Sequence, residues 1–295
     1  MADEDIFIEY LHETQDFYSS VDIQKRVWRK DDILVVPPHL LITAQKNGGL
    51  VLGAFNEQRE MVGFVFGFLG TREPASEDQA AERRLKHCSH MMGVLPEYQA
   101  KGIGHLLKLG QLKHALSQGL DLVTWTFDPL ESSNANLNVC KLGVICDTYL
   151  CDIYGALADG RNVGLPSDRL EIEWWITSER VVKRLEKGGE KLSLDEVLKA
   201  GARQANVTTV GADDLLRPSV YGLSTAADDV VIEIPADFQG IKAVDMALAM
   251  EWRMHTREIF EHYFDAGYVM TEFISEVKEG SRHSYYVLTK GYVVS

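Results

Sequence analysis

The sequence predicts an α/β (α+β) protein with a mixed, mostly antiparallel central sheet flanked by helices, followed by a second, smaller α+β domain. Three observations carry this expectation. Two β-rich runs, Leu50 to Phe55 and Met61 to Leu69, flank a polar connector of hairpin length, Asn56-Glu57-Gln58-Arg59-Glu60. The stretch from His87 to Phe127 reads strand, glycine loop, helix, strand, the order of a right-handed crossover between parallel strands. Beyond a charged, glycine-containing segment, Glu186 to Lys191, the pattern begins again with its own strands and a long helix.

Taken in order, Ile6 to Tyr10 is a short apolar run, and Phe17, Val21, Ile23 and Val27 then recur near helical spacing, giving strand and helix. Pro37-Pro38 is a break before the hairpin. Arg72 to Arg84, polar and acidic with one proline, reads as a surface loop, a short helix or a lid. His87 to Leu95 is a strand ending at Pro96. Ile103, Leu106, Leu109, Leu112 and Leu116 then form a helical stripe that stops at Gly119, and Leu122 to Phe127 is a buried strand. A polar segment, Glu131 to Asn138, leads to Lys141-Leu142-Gly143. Leu170 to Ile176 is a further strand, and a helix around Ser178 to Lys187 closes the first domain. The expected domains are residues 1–187 and 188–295. In the second, Val230 to Ile234, Tyr268 to Ile274 and Tyr285 to Thr289 read as strands and Ala243 to Phe264 as a strong helix, with no recognisable chemical motif.

Composition limits what these elements can do. A chain of 295 residues with 45% hydrophobic and 25% charged content should form compact cores. Its net charge of -14 argues against a general nucleic-acid binder, yet leaves room for a local basic pocket around an anionic cofactor. The four cysteines, Cys88, Cys140, Cys146 and Cys151, form no Cys-x-x-Cys pair, so neither a disulfide framework nor a metal site is expected. Reduced thiols in a cytoplasmic protein are the expectation. The start is acidic, and no apolar run approaches the ~20 residues that span a bilayer, so neither export nor a membrane partner is expected.

The chemistry concentrates at Gln99-Ala100-Lys101-Gly102-Ile103-Gly104. A glycine loop entering a helix offers backbone N–H groups without side-chain obstruction, and the helix start adds partial positive charge that favours phosphate. A dinucleotide-binding reading fails because Gly-x-Gly-x-x-Gly is missing and Pro96 interrupts the preceding strand; a Walker loop fails because no Gly-Lys-Ser or Gly-Lys-Thr comes after it. The whole stretch from Val94-Leu95-Pro96 to Gly104 resembles the pyrophosphate-binding motif of the GNAT superfamily of N-acetyltransferases: Arg or Gln, two residues, Gly, one residue, Gly or Ala, after a strand ending in Val-x-Pro.

The resemblance implies the acyl-CoA N-acyltransferase fold with acetyl-CoA as co-substrate. Gln99, Lys101, Gly102, Ile103, Gly104 and His105 would lie at the pyrophosphate, and the strand edge at Met92, Gly93 and Val94 would pair with the pantetheine arm. A narrower resemblance, to a bacterial branch with an extra C-terminal domain, rests on Trp125-Thr126-Phe127-Asp128-Pro129-Leu130, Asn134-Ala135, Lys141-Leu142-Gly143, Tyr154-Gly155, Leu165 to Leu170 and Glu173-Trp174. It extends into the second domain through Glu251-Trp252-Arg253. The implied activity is acetyl transfer to the amine of a small molecule or amino acid. A succinyl donor and a non-catalytic acyl-CoA-binding module are the alternatives, and a homodimer is kept open.

Direct attack of an amine on a thioester needs a base and a proton donor for the thiolate. The family's usual donor is a tyrosine four residues before the glycine matched by Gly143, where this chain has Val139. Tyr149 and Tyr154 are the substitutes, unless the thiolate leaves through solvent. His90, on the strand beside the thioester, is the candidate base, with a structural histidine as the other reading. His87 falls on the opposite face. Asp128 can receive the ammonium or relay its proton, or instead cap the Pro129 turn. Arg169 can grip a carboxylate with its planar fork, or form an internal ion pair with Asp168, Glu171 or Glu173. Asn134 and Asn138 can orient substrate or coenzyme, or cap the backbone. Cys88 shares strand parity with His90, but direct transfer needs no covalent cysteine.

Overall fold

The computed structural model describes residues 5–28, 35–72, 85–155, 164–188 and 192–294. They fall into two compact units that part after Trp125. Among the described residues, no helix is long and apolar enough to cross a membrane.

The first unit is built on five strands in the order β1-β2-β3-β4-β5. Strand β1 (Phe7–Tyr10) is followed by α1 (Thr14–Trp28), whose expected apolar residues Phe17, Val21, Ile23 and Val27 are all buried. On the same helix Gln24 is fully buried because its amide bonds both the N–H and the C=O of Val36 (2.8 and 3.2 Å), which satisfies two backbone groups at once. The Pro37-Pro38 break turns out to start a helix. Pro38 opens α2 (Pro38–Lys46), where the missing N–H of proline costs nothing at a first helical position.

Strands β2 (Leu50–Phe55) and β3 (Met61–Thr71) pair antiparallel as the expected hairpin, closed by Asn56, whose side-chain oxygen accepts from the Glu60 N–H (2.8 Å). Of the stretch expected to be a loop or lid, residues 73–84 lie outside the described residues. Strand β4 (Leu85–Val94) runs antiparallel to β3, and after α3 (Ile103–Ser117) β5 (Leu122–Phe127) returns parallel to β4. That is the strand–helix–strand crossover expected from the sequence.

Helix α3 presents a different face from the expected leucine stripe. Ile103, Leu107, Lys108, Gln111, His114 and Ala115 are buried, whereas Leu106 and Leu116 are 38% and 45% exposed. The polar residues tolerate burial because each finds a partner. Lys108 Nζ donates to Ser89 Oγ (2.9 Å) and Gln111 Oε1 (3.0 Å), Gln111 Nε2 meets His87 Nε2 (3.0 Å), and His114 Nδ1 meets the Tyr10 hydroxyl (2.9 Å). His87 fits only because Gly67, diagonal to it across the β3–β4 ladder, has no Cβ to meet its ring.

The second unit contains a sheet in the order β7-β6-β12-β13-β11-β8. The polar segment after β5 is helical: α4 (Ser132–Ala135) runs into a wider π turn over Asn136–Lys141 that buries Val139. Strand β6 (Ile145–Leu150), not foreseen, pairs antiparallel with β7 (Arg169–Trp175), the strand expected from Leu170. Helix α5 (Glu179–Lys187) is capped by Ser178, and α6 (Leu194–Lys199) by a reciprocal Ser193–Glu196 box.

The short β8 (Arg203–Gln204), the two-stranded pair β9 (Asn206–Val210) and β10 (Leu216–Tyr221), and β11 (Asp229–Ile234) come next. Then α7 (Phe238–Val244) and the long α8 (Met246–Asp265), capped by Asp245, precede β12 (Tyr268–Lys278) and β13 (Ser281–Lys290). Among the described residues β4/β5 and β11/β8 pair parallel, and β1/β2, β2/β3, β3/β4, β6/β7, β6/β12, β9/β10, β11/β13 and β12/β13 pair antiparallel.

Of the expected boundary segment, 189–191 lie outside the described residues. Compactness divides the chain earlier and places α5 with the later strands. Arg180 and Arg184 of α5 both bond Glu272 of β12, at 3.1 and 2.6 Å, which ties that helix to the later sheet.

Replacing Gly67 by alanine tests the packing of the first unit, since the added Cβ would collide with the His87 ring and lie 2.8 Å from the Cys88 carbonyl oxygen. We expect Gly67→Ala to lose about 1–3 kcal/mol of stability. Urea unfolding at neutral pH measures it, and an unchanged midpoint would refute the packing described.

Candidate active site

Strand β4 delivers the chain to the glycine loop. Met92, Gly93 and Val94 pair with Val65, Phe64 and Gly63 of β3, and Leu95 N–H reaches Val62 O at 2.9 Å. Toward β5 the ladder is short: His87↔Val123 and Cys88↔Thr124 are its two pairs. Gly93 lies under Trp28, where a Cβ would stand 2.9 Å from the indole ring, so this end of β4 is covered closely by α1.

A single 3-10 turn over Pro96–Tyr98 then reverses the chain, and Gln99 Nε2 donates back to Val94 O at 2.9 Å, fixing the loop against the strand end. Ala100 (φ 61) and Gly102 (φ 83) both adopt left-handed backbone. Gly102 does so without strain, while Ala100 holds a conformation that its Cβ disfavours. Gly102 is the N-cap of α3, and the first intrahelical bond runs from Leu106 N–H to its carbonyl (3.1 Å). The N–H groups of Ile103 and Gly104 therefore have no intrahelical acceptor and carry the positive end of the helix dipole.

A Cβ placed on Gly102 would meet nothing within 4 Å, so the space over the loop is open. These are the donor set and clearance that a pyrophosphate requires. Lys101 is exposed, with its ammonium 4.6 Å from the Tyr98 ring centroid; Ile103 is buried and His105 half-buried.

His90 is exposed and occupies a bulge. The β3–β4 register steps from Phe66↔Met91 to Gly67↔Ser89, which leaves His90 as the extra residue, and its ring contacts Phe66 and Phe68 (centroids 5.7 and 6.0 Å). His87, three residues earlier, turns instead toward α3, and burial there drives its pKa down to about 3, helped by the neighbouring His114 and Lys108. It is neutral at physiological pH. Of the two histidines, His90 alone is exposed.

The other candidate residues lie in the second unit, where a set of ion pairs organises them. Asp128 accepts both Nη groups of Arg253 (2.9 and 2.5 Å), receives the Leu130 N–H (2.9 Å) across the Pro129 turn, and stands 3.7 Å from Arg169. Burial works to raise its pKa, but the charge and hydrogen bonds of Arg253, with Arg169 and Leu130, prevail and hold it below its ordinary value. Such a carboxylate is a fixed counter-ion and a poor proton acceptor.

Tyr149 donates to Asp168 Oδ2 (2.8 Å), while Arg257 grips the same carboxylate through Nε (2.8 Å) and Nη2 (2.6 Å). Burial, reinforced by the Asp168 charge, raises the Tyr149 pKa well above its ordinary value. Tyr154 differs: it is half exposed, its hydroxyl is 3.0 Å from Thr126 Oγ1, and the Arg169 guanidinium lies 5.6 Å over its ring. Arg169 also donates to the Asp168 carbonyl (2.7 Å) and stands 3.7 Å from the Asp128 carboxylate. Asn134 is exposed on α4, and Asn138 is buried in the π turn.

Sequence reasoning missed Arg253 and Arg257. They sit four residues apart on α8, hence on one helix face, and meet Asp128 and Asp168 respectively. The i, i+4 spacing of two arginines, which puts both on one face of a long helix, was the available signal. Their partners are 125 and 89 residues away in sequence.

No protein-family model matches the chain, and no curated protein matches it. Among solved structures, it is similar to an N-acetyltransferase from Staphylococcus aureus, at 16% identity over 59% of this chain and 99% of that one, with a TM-score of 0.44. It is likewise similar to an acetyltransferase of the GNAT family from Streptococcus pneumoniae (18% identity, 57% and 98%, TM-score 0.43). A third is a ribosomal-protein alanine N-acetyltransferase from Escherichia coli (16%, 58% and 94%, TM-score 0.43).

Neutralising Asp128 should be felt throughout the second unit, because Arg253, with a side chain 2% exposed, would lose its counter-ion. For Asp128→Asn we expect a loss of about 3–5 kcal/mol. Thermal and urea unfolding give the value; a loss under about 1 kcal/mol, the range of exposed pairs, would contradict the structural role.

Proposed function

We propose that this chain is a GNAT-type acyl-CoA-dependent N-acyltransferase that moves an acetyl group to the amine of a small molecule or amino acid. The observation that carries this reading is the loop from Gln99 to Gly104. Two left-handed residues and a hydrogen bond back to Val94 aim the first amides of α3 into open space, directly after a strand whose ladder with β5 has ended. Gln99 and Gly102 shape the loop, Ile103, Gly104 and His105 supply amides for the pyrophosphate, and Lys101 adds a peripheral charge. Met92, Gly93 and Val94 offer the β4 edge to the pantetheine arm. On this reading residues 1–187 form the acyltransferase domain and 188–295 a separate domain.

The reaction joins the acceptor nitrogen to the thioester carbonyl carbon as the carbon–sulfur bond breaks. His90 accepts the proton that the ammonium must lose, a role suited to an exposed imidazole on the strand that pairs with the donor. Of the two phenols, Tyr154 is the donor to the departing thiolate, because Tyr149 is committed to Asp168. Asp128 and Arg169 act on substrate only indirectly, through the ion-pair set that holds the Tyr154 ring. Asn134, exposed, is assigned to the coenzyme.

Coenzyme release, followed with a thiol reagent across a panel of amines and with acetyl- and succinyl-CoA, tests the activity; absence of turnover with both donors argues against it. Gly102→Asp should abolish acetyl-CoA binding by placing a carboxylate where the pyrophosphate sits, and unchanged affinity would sink the loop assignment. For His90→Ala we expect kcat to fall by about 100-fold or more with coenzyme affinity kept. A normal rate across the pH range would remove His90 from the reaction.

A further inference from the structure

Lys108 is the one lysine among the described residues that is buried on an element facing the candidate site, and its position is specific. It is 1% exposed, with Nζ 2.9 Å from Ser89 Oγ, 3.0 Å from Gln111 Oε1 and 3.4 Å from the centroid of the Trp125 ring. Ser89 directly follows Cys88 in β4, and Trp125 directly follows Thr124 in β5. Cys88↔Thr124 is the last pair of the parallel ladder. A third pair, had the ladder continued in register, would have joined Ser89 to Trp125, and the lysine head touches both residues.

A buried amine is an expensive way to fill a helix–sheet layer, since a methionine or leucine would do so without desolvating a polar head. Burial lowers the Lys108 pKa well below its ordinary value, which reports that cost. The head is also held firmly. Because Gln111 Oε1 accepts from Lys108, its Nε2 must donate to His87 Nε2, so Gln111 is fixed from both ends. His90, the bulged residue, comes immediately after Ser89.

We propose that Lys108 is a positioning residue of the acyl-transfer site: seated between Ser89 and Trp125, it holds β4 and β5 apart and keeps the β4 edge from Ser89 to Val94 open to the pantetheine arm of the acyl donor. The lysine touches neither substrate nor reacting atoms. It acts through the strand edge that the donor pairs with. This inference rests on the acyl-CoA reading given above.

The test compares wild type, Lys108→Ala and Lys108→Met in the full chain, by hydrogen exchange of the β4 amides without ligand and by acetyl-CoA affinity and turnover. With the seat emptied in Lys108→Ala, the strands should close. The amides from Ser89 onward should exchange about tenfold more slowly as new pairing protects them, and the acetyl-CoA Kd and KM should rise about tenfold while kcat at saturation changes less than about twofold. Lys108→Met, which refills the seat, should restore both.

Faster exchange in the alanine variant, as mere loosening would give, overturns the proposal. So does unchanged exchange and affinity, or a methionine variant as impaired as alanine. Should Lys108→Ala fail to fold, Lys108→Leu keeps the layer apolar without reaching the strand ends and is held to the same outcomes. If wild type binds no acetyl-CoA, the acyl-CoA reading fails on its own, and the exchange comparison still decides whether Lys108 sets the strand spacing.

Discussion

A parallel ladder that lasts two residue pairs is the constraint on which the first unit turns. Strand β4 is fully paired along β3 through Val94, so its other edge is where unmade backbone bonds accumulate once β5 departs after Cys88. A strand can carry such an edge only if neighbouring features fix it. Here the bulge at His90, the lysine at the point of divergence and the close cover of Trp28 over Gly93 all act within a few residues. The glycine loop then starts from a strand end whose position is already set.

In the second unit the organising force is electrostatic. Asp128 and Asp168 are both buried or nearly so, and each is gripped by two nitrogens of an α8 arginine. Desolvation makes such pairs poor sources of net stability but severe penalties for mispairing, so they favour one arrangement of β5's end, the Asp168 turn and α8. Asp128 and Arg169, the residues expected from the sequence to meet substrate, belong to this ion-pair set. Tyr154 keeps an exposed edge.

Local features were the ones legible in the chain. The hairpin around Asn56, the amphipathic pattern of α1, the strand–loop–helix at Gln99 and the helix that begins near Ser178 each depend on residues a few positions apart, and each stands in the structure. The orientation of α3 was not legible, because four leucines mark one stripe while the buried face is specified by Ser89, His87 and Tyr10, which lie outside the helix. The start of α2 was hidden for the opposite reason: Pro37-Pro38 looks like an interruption, although a proline at the first helical position is compatible with a full helix after it. Strand β6 and the arginines of α8 depended on partners far along the chain.

The buried ring of His87 also has a consequence for observation. Because Gln111 must donate to its Nε2, the imidazole is confined to the tautomer with hydrogen on Nδ1, and that nitrogen has no acceptor among the described residues. With a pKa held at about 3 by burial, the ring keeps this single form at neutral pH. Its nitrogen resonances should therefore be blind to bulk pH near neutrality and respond only when α3 shifts against β4, making one side chain a built-in gauge of the seating of that helix.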